Sequence, residues 1–162
     1  MKWYLGVDNG VTGQICLISD DSMVILKSMP VFKCLNYTKK KAWLNRVNGI
    51  ELRNFLQDIA PHISICLIER PMVNPGRWMA TMSAIRCLEA TLIVLEILKI
   101  PFRFIDSKKW QKLLLPAGLR KEELKEASLQ IGKRLYPNLE LSSFKDADGL
   151  LIAHYAKVIG GN

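Results

Sequence analysis

Apolar positions near the start of the chain fall into three short runs, Trp3 to Val7, Gln14 to Ile18 and Met23 to Leu26. Asn9-Gly10-Val11-Thr12-Gly13 and Asp20-Asp21-Ser22 separate them with turn chemistry, so the pattern predicts an antiparallel meander. After Pro30 an irregular stretch is expected to about Asn45. A helical pattern follows from Val47 to Ile59, using Ile50, Leu52, Phe55, Leu56 and Ile59, and Pro61 ends it. Ile63 to Ile68 is almost continuously apolar without alternation, which marks a strand covered on both faces and therefore central in its sheet.

That strand ends at Glu69-Arg70-Pro71, and a loop containing Pro and Gly leads into a long helical pattern from Trp78 to Lys99. Within it Arg86, Glu89, Glu96 and Lys99 share an arc of roughly 140° at 100° per residue, so most of the helix needs cover. Phe102 to Ile105 predicts another strand, Ser107 caps a short helix through Leu114, and Pro116-Ala117-Gly118 breaks the chain. A charged helix with the apolar stripe Leu124, Ala127, Ile131 and Leu135 stops before Pro137. The last helix, Asp146 to Ile159, is apolar apart from Asp148, His154 and Lys157. The predicted order is β-β-β-α-β-α-β-α-α-α, an α/β domain spanning 1–162.

Composition narrows the function classes. The chain is 49% hydrophobic and 23% charged over 162 residues, which excludes disorder and favours one compact domain. Lys and Arg outnumber Asp and Glu 23 to 15, and the net charge of +8 favours an anionic partner. Cys16, Cys34, Cys66 and Cys87 are too far apart for a C-x-x-C zinc site and read as reduced packing residues. No signal peptide is expected at Met1 to Asp8, and no run is expected to approach a membrane span. An intracellular protein without membrane association follows.

Three acids stand where acids are costly: Asp8 after the first apolar strand, Glu69 after the buried one, and Asp148 in the first turn of an apolar helix. If the two strands neighbour each other in a mixed sheet, Asp8 and Glu69 leave it at one edge, and a helix packed across the sheet delivers Asp148. Three carboxylates at one spot repel unless cations neutralise them, and hard divalent metals with oxygen ligands do so while binding phosphates. The alternative is that each acid caps an element or pairs with a local base, Arg70 being adjacent to Glu69.

Leu5-Gly6-Val7-Asp8-Asn9-Gly10-Val11-Thr12-Gly13, Cys66-Leu67-Ile68-Glu69-Arg70-Pro71 and Asp146-Ala147-Asp148-Gly149-Leu150-Leu151-Ile152-Ala153 resemble the acidic motifs of RuvC-type Holliday-junction resolvases. Ile105-Asp106-Ser107-Lys108-Lys109-Trp110-Gln111-Lys112 and Leu135-Tyr136-Pro137 resemble the small phage-type branch of that family, so the likeness runs along nearly the whole chain. It implies a ribonuclease-H-like fold, a five-stranded mixed sheet flanked by helices. It also implies an endonuclease that nicks four-way or other branched DNA, acts as a homodimer, and works in the cytoplasm of a bacterial or phage-infected host cell. The implied cofactor is Mg²⁺, two ions per site with Mn²⁺ able to substitute, and no nucleotide cofactor. Asp8 would bridge the ions, with Glu69 and Asp148 on either side and Asp146 as a further catalytic and metal-holding acid.

This chain departs from that pattern at its last motif. The family commonly has two acids three or four residues apart there, whereas Asp146 and Asp148 are two apart, with Lys145 just before them. Two residues on a helix point about 200° from each other. Asp146 can therefore join the site only from the N-cap or before it, and the other reading is that Asp146 is only a cap. An earlier helix start turns Lys145 toward the phosphate instead.

Arg70, Arg77 and Trp78 flank the acidic edge and are the first DNA-binding candidates. Lys39, Lys40 and Lys41 with Trp43 could grip phosphates and stack on a base, or simply be solvated. Trp110 is expected to anchor its helix in the core while Lys108, Lys109 and Lys112 face outward, and His154 points away from Asp148. Two other readings stay open: a ribonuclease H acting on RNA–DNA hybrids, which would share fold and acids, and a non-catalytic binder of branched DNA. An actin-like ATPase also opens Gly-x-Asp-x-Gly, but 162 residues leave no room for its second lobe.

Overall fold

The structure is a computed structural model that describes residues 1–37, 39 and 41–160. Strands β1 (Trp3–Val7), β2 (Gln14–Ser19), β3 (Val24–Ser28), β6 (Ile63–Glu69) and β7 (Phe102–Ile105) form one sheet in the order β3-β2-β1-β6-β7. The first three are antiparallel, and β1, β6 and β7 run parallel, as a mixed sheet requires. β4 (Val31–Leu35) and β5 (Trp43–Val47) pair separately as a hairpin. The helices are α1 (Gly49–Leu56), α2 (Trp78–Ile97), α3 (Ser107–Leu114), α4 (Lys121–Leu135) and α5 (Asp148–Gly160).

Alternation along the central strands sends side chains to the two faces of the sheet. Trp3, Leu5, Val7, Cys66 and Ile68 pack on one face against Leu52 and Leu56 of α1 and Val94 and Leu95 of α2. Tyr4 and Leu67 face the other side, against Trp110 of α3, Ile131 of α4 and Leu151, Ile152 and Ala156 of α5. Because α5 lies between the sheet and α3 and α4, its residues Gly149 to Ala153 are all buried, which explains its unbroken apolar run. Each large aliphatic side chain so buried contributes about 1.5–3 kcal/mol.

The hairpin corrects the expectation of an irregular stretch between Pro30 and Asn45. Its residues are mostly exposed or half-buried, and Lys33, Asn45 and Arg46 interrupt any apolar run, so burial leaves no strand pattern to read. Val47, expected to open the first helix, is instead the last residue of β5 and pairs with Val31. Helix α1 starts after Asn48, whose Oδ1 accepts the Glu51 amide as an N-cap.

A second correction concerns α2. The segment Pro75–Ile97 is long and apolar enough, by length and composition, to cross a membrane, with a mean hydropathy of 1.4 over its window. Its few charges are confined to one arc, so averaging along the chain hides the amphipathic pattern. One face of α2 is built into the core through Cys87, Thr91, Val94 and Leu95, while Trp78, Met79, Ile93 and Ile97 are exposed.

Candidate active site

Parallel pairing of β1 and β6 sets Val7 opposite Ile68, so the next residues, Asp8 and Glu69, stand side by side at the sheet's carboxyl edge. The Asp8 amide continues the ladder by donating to the Gln14 carbonyl at 2.9 Å. Gly13 allows this turn to close: a Cβ there would collide with the Asp8 carbonyl oxygen.

Gln14 also places the third acid. Its Nε2 donates to the Asp146 carbonyl at 2.7 Å, and its Oε1 accepts the Gly149 amide at 3.3 Å. The start of α5, with Asp148 between these two contacts, is thereby clamped to the residue that holds Asp8. Gly149 is required at the contact, since a Cβ there would stand 2.7 Å from the Gln14 Cβ. Gln14 is 4% exposed, so both ends of its amide are bonded in a dry place where an orphaned group would be costly.

The electrostatics report on the convergence. Burial, then the charges of Glu69, Asp148 and Asp146, push Asp8 up to about 7, against the pull of Lys125. Burial raises Glu69 to about 7 against a bond from Trp110, with Asp148 and Asp146 adding to the rise. Asp148 rises to about 6 through burial and then Asp146, opposed by Ser128 and Lys125. Burial is the largest cause at all three acids, and the neighbouring carboxylates add to it.

Asp146 lies apart from its neighbours in role. Helix α5 starts at Asp148, and the carbonyl of Ala147 accepts the first helical bond from Leu151, so Ala147 holds the N-cap position and Asp146 precedes it. The cap-only reading is thus corrected, and the argument from two residues on one helix does not apply. The Asp146 carboxylate is paired with Lys125 Nζ at 3.0 Å. Ser128 on the same helix accepts the Ala147 amide at 3.0 Å, so α4 braces the turn that presents both acids.

Among the described residues no three acidic, histidine or cysteine side chains already stand at the spacing of one coordination sphere. The Asp146 carboxylate is close enough to add to the rise at Asp8, Glu69 and Asp148, which places all four acids at one end of the sheet. The donor set is all oxygen, which fits hard divalent cations.

Other expected site residues are arranged as follows. Arg70 does not pair with Glu69; its Nε lies 3.5 Å from Asp106 and its guanidinium lies over the Phe104 ring. Arg77 and Trp78 are exposed where the loop after β6 enters α2, and Lys145 is exposed beside Asp146. Lys39 and Lys41 are exposed in the connection between β4 and β5, on the separate hairpin, and Lys40 lies outside the described residues. His154 faces away from the acids, its Nδ1 at 2.8 Å from the Tyr136 hydroxyl. The sequence pattern does not mark Gln14, Ser128 or Lys125, and it accounts for Trp110 by packing alone. The available signal for Gln14 is a long polar residue opening an otherwise apolar strand.

No family model matches the chain, and no curated protein matches it in sequence. Solved structures do match. The chain is similar to Thermus thermophilus RuvC in complex with a Holliday junction substrate, with a TM-score of 0.60 and 12% identity, covering 94% of this chain and 90% of that one. A second Thermus thermophilus RuvC structure matches with a TM-score of 0.58 and 15% identity, covering 97% and 95%. With its five-stranded mixed sheet and flanking helices, the chain has the ribonuclease-H-like fold of RuvC.

Proposed function

We propose that the protein is a divalent-metal-dependent endonuclease that nicks four-way or otherwise branched DNA. The observation that carries this reading is the meeting of Asp8, Glu69 and Asp148 at one sheet edge, each with a raised pKa. The RuvC fold and the net charge of +8 support it. An acidic centre in a basic protein suits a polyanion whose scissile phosphate is met through cations.

Asp8, Glu69 and Asp148 would hold two Mg²⁺ ions, or Mn²⁺ in their place, and Asp146 would contribute on release from Lys125. Bound there, the ions would supply an activated water and charge stabilisation for the departing 3′ oxygen during in-line displacement. The chain's own work is positional. Gln14 fixes Asp148 relative to Asp8, the β1–β6 register fixes Glu69 beside Asp8, and Ser128 braces the α5 turn. No side chain is needed as a nucleophile. Arg70, Arg77, Trp78 and Lys145 would hold the DNA arms near the edge, with Lys39 and Lys41 gripping farther out, and Lys40 is proposed as a further DNA contact from its charge alone.

Two nicks related by two-fold symmetry require two equivalent sites. The exposed apolar residues of α2, including Ile93 and Ile97, suit cover by a second copy, so a homodimer is the proposed assembly, acting in the cytoplasm. Cleavage assays with and without Mg²⁺ on a four-way junction, a linear duplex and an RNA–DNA hybrid test the reading. Junction nicking that needs Mg²⁺ is expected. Preference for the hybrid would make the protein a ribonuclease H, and tight junction binding without any cleavage would make it a binder.

A further inference from the structure

The indole nitrogen of Trp110 donates to Glu69 Oε2 at 3.1 Å. Trp110 is 0% exposed and is the buried residue of α3, packed among Tyr4, Leu67, Ile105, Leu151 and Ile152. A buried indole N–H needs an acceptor, and in a packed core a backbone carbonyl would serve. Here the acceptor is one oxygen of a site carboxylate. Glu69 pairs in register with Ile105 of β7, and Asp106 then leads directly into α3, so the tryptophan returns over the strand end from a short and fixed distance.

We propose that Trp110 is a positioning residue of the acidic site: by binding Oε2 of Glu69 it fixes the carboxylate's rotation and leaves Oε1 as the oxygen for a divalent cation. The hydrogen bond is charge-assisted and lies in a protected place, so it restricts a side chain that burial and neighbouring charges would otherwise leave without a preferred direction. A partner of this kind behind a metal-holding carboxylate is worth about tenfold or more in metal affinity or activity. The rest of the ring anchors α3, whose Lys108, Lys109 and Lys112 are exposed. One side chain therefore sets both the helix and the carboxylate.

The proposal rests on Glu69 being a cation-holding acid, and the test separates the two ideas. The full-length ¹⁵N-labelled protein is titrated with Mg²⁺ while its indole N–H resonances are followed, and binding is measured in parallel by calorimetry on wild type, Asp8→Asn and Trp110→Phe. Trp3, buried in the core on the opposite face of the sheet, is the internal control. The Trp110 resonance should move with the calorimetric binding curve while Trp3 stays still. Trp110→Phe should bind Mg²⁺ about tenfold more weakly and lose kcat on the junction with KM unchanged. A Trp110 resonance that stays still while Asp8-dependent binding proceeds, or a folded Trp110→Phe with wild-type affinity, overturns the proposal and leaves the acidic site standing. Absence of Asp8-dependent Mg²⁺ binding in the wild type overturns both. If Trp110→Phe does not fold, the wild-type titration alone decides.

Discussion

The backbone of Ala153 occupies the space that a Cβ on Gly6 would need. Helix α5 therefore rests directly on β1, and Asp148, at its first turn, falls beside the strand end that carries Asp8. Gly6→Ala must lift the helix or bend the strand, an overpacking cost of about 1–3 kcal/mol or more. Urea unfolding should show that loss, and Mg²⁺ affinity of the folded fraction should fall with it, because the two acids separate. A variant of unchanged stability and affinity would mean that the helix is free to slide.

Asp8→Asn should abolish nicking while leaving junction binding intact. It removes the acid at the centre of the cluster, and it takes a negative charge away from phosphate, so affinity for DNA has no reason to drop. Glu69→Gln and Asp148→Asn should behave in the same way. Band-shift and cleavage assays on one junction, read together, check the separation; retained nicking in Mg²⁺ by Asp8→Asn would remove Asp8 from the site.

How far the sequence showed this site depends on what each residue does for the core. Asp8 and Glu69 were legible because each ends a strand so apolar that an acid breaks the pattern. The hairpin β4–β5 was not, because a two-stranded, exposed ribbon needs no buried face and so leaves no periodic trace. Trp110 and Gln14 each have two duties. The ring of Trp110 accounts for its place in the core and hides the role of its nitrogen, and Gln14 sits in a fully buried strand whose pattern predicts only packing. Hydrogen bonds across 41 or 132 residues have no signature in local sequence.

Lys125 Nζ holds the Asp146 carboxylate at 3.0 Å. A cation that recruits Asp146 must displace it, so Lys125→Met should tighten Mg²⁺ binding by about threefold, a modest effect because the lysine is largely solvated and such pairs are worth under about 1 kcal/mol. In an Asp146→Asn background the same substitution should change affinity far less, since the pair is already broken. Equal gains in both backgrounds would show that Lys125 acts only as a distant charge.

The raised carboxylates give the metal-free protein a specific pH response. Asp8 and Glu69 at about 7 and Asp148 at about 6 hold protons in the folded state that the unfolded chain has released. Where the folded state binds more protons, stability falls as pH rises. Thermal melts without metal should therefore drop between about pH 4 and pH 7, and Mg²⁺ should restore them at the upper end by replacing the protons. Calorimetry at pH 6 in buffers of different ionisation enthalpy should detect proton release on Mg²⁺ binding, and little should remain at pH 8.5. A melt that rises across this window would show that the acids do not converge in solution.

Helix α2 separates folding from assembly residue by residue. Leu95 is 0% exposed and sits in the core with Leu52 and Leu56, so Leu95→Glu buries an unpaired charge and should unfold the chain. Ile93 and Ile97 lie on the same helix but are 54% and 61% exposed, so a glutamate at either costs the isolated chain little. If that face is the contact between two copies, Ile93→Glu and Ile97→Glu should each give a folded monomer near 18.4 kDa where the wild type sediments at about twice that mass. Paired nicking of a junction should fall with dimerisation, while single nicks at high protein concentration persist, because each copy carries a whole acidic site. Sedimentation equilibrium at micromolar concentration, with and without a four-way junction, decides the matter. A wild type that stays monomeric in both conditions would leave the apolar face of α2 to some other partner.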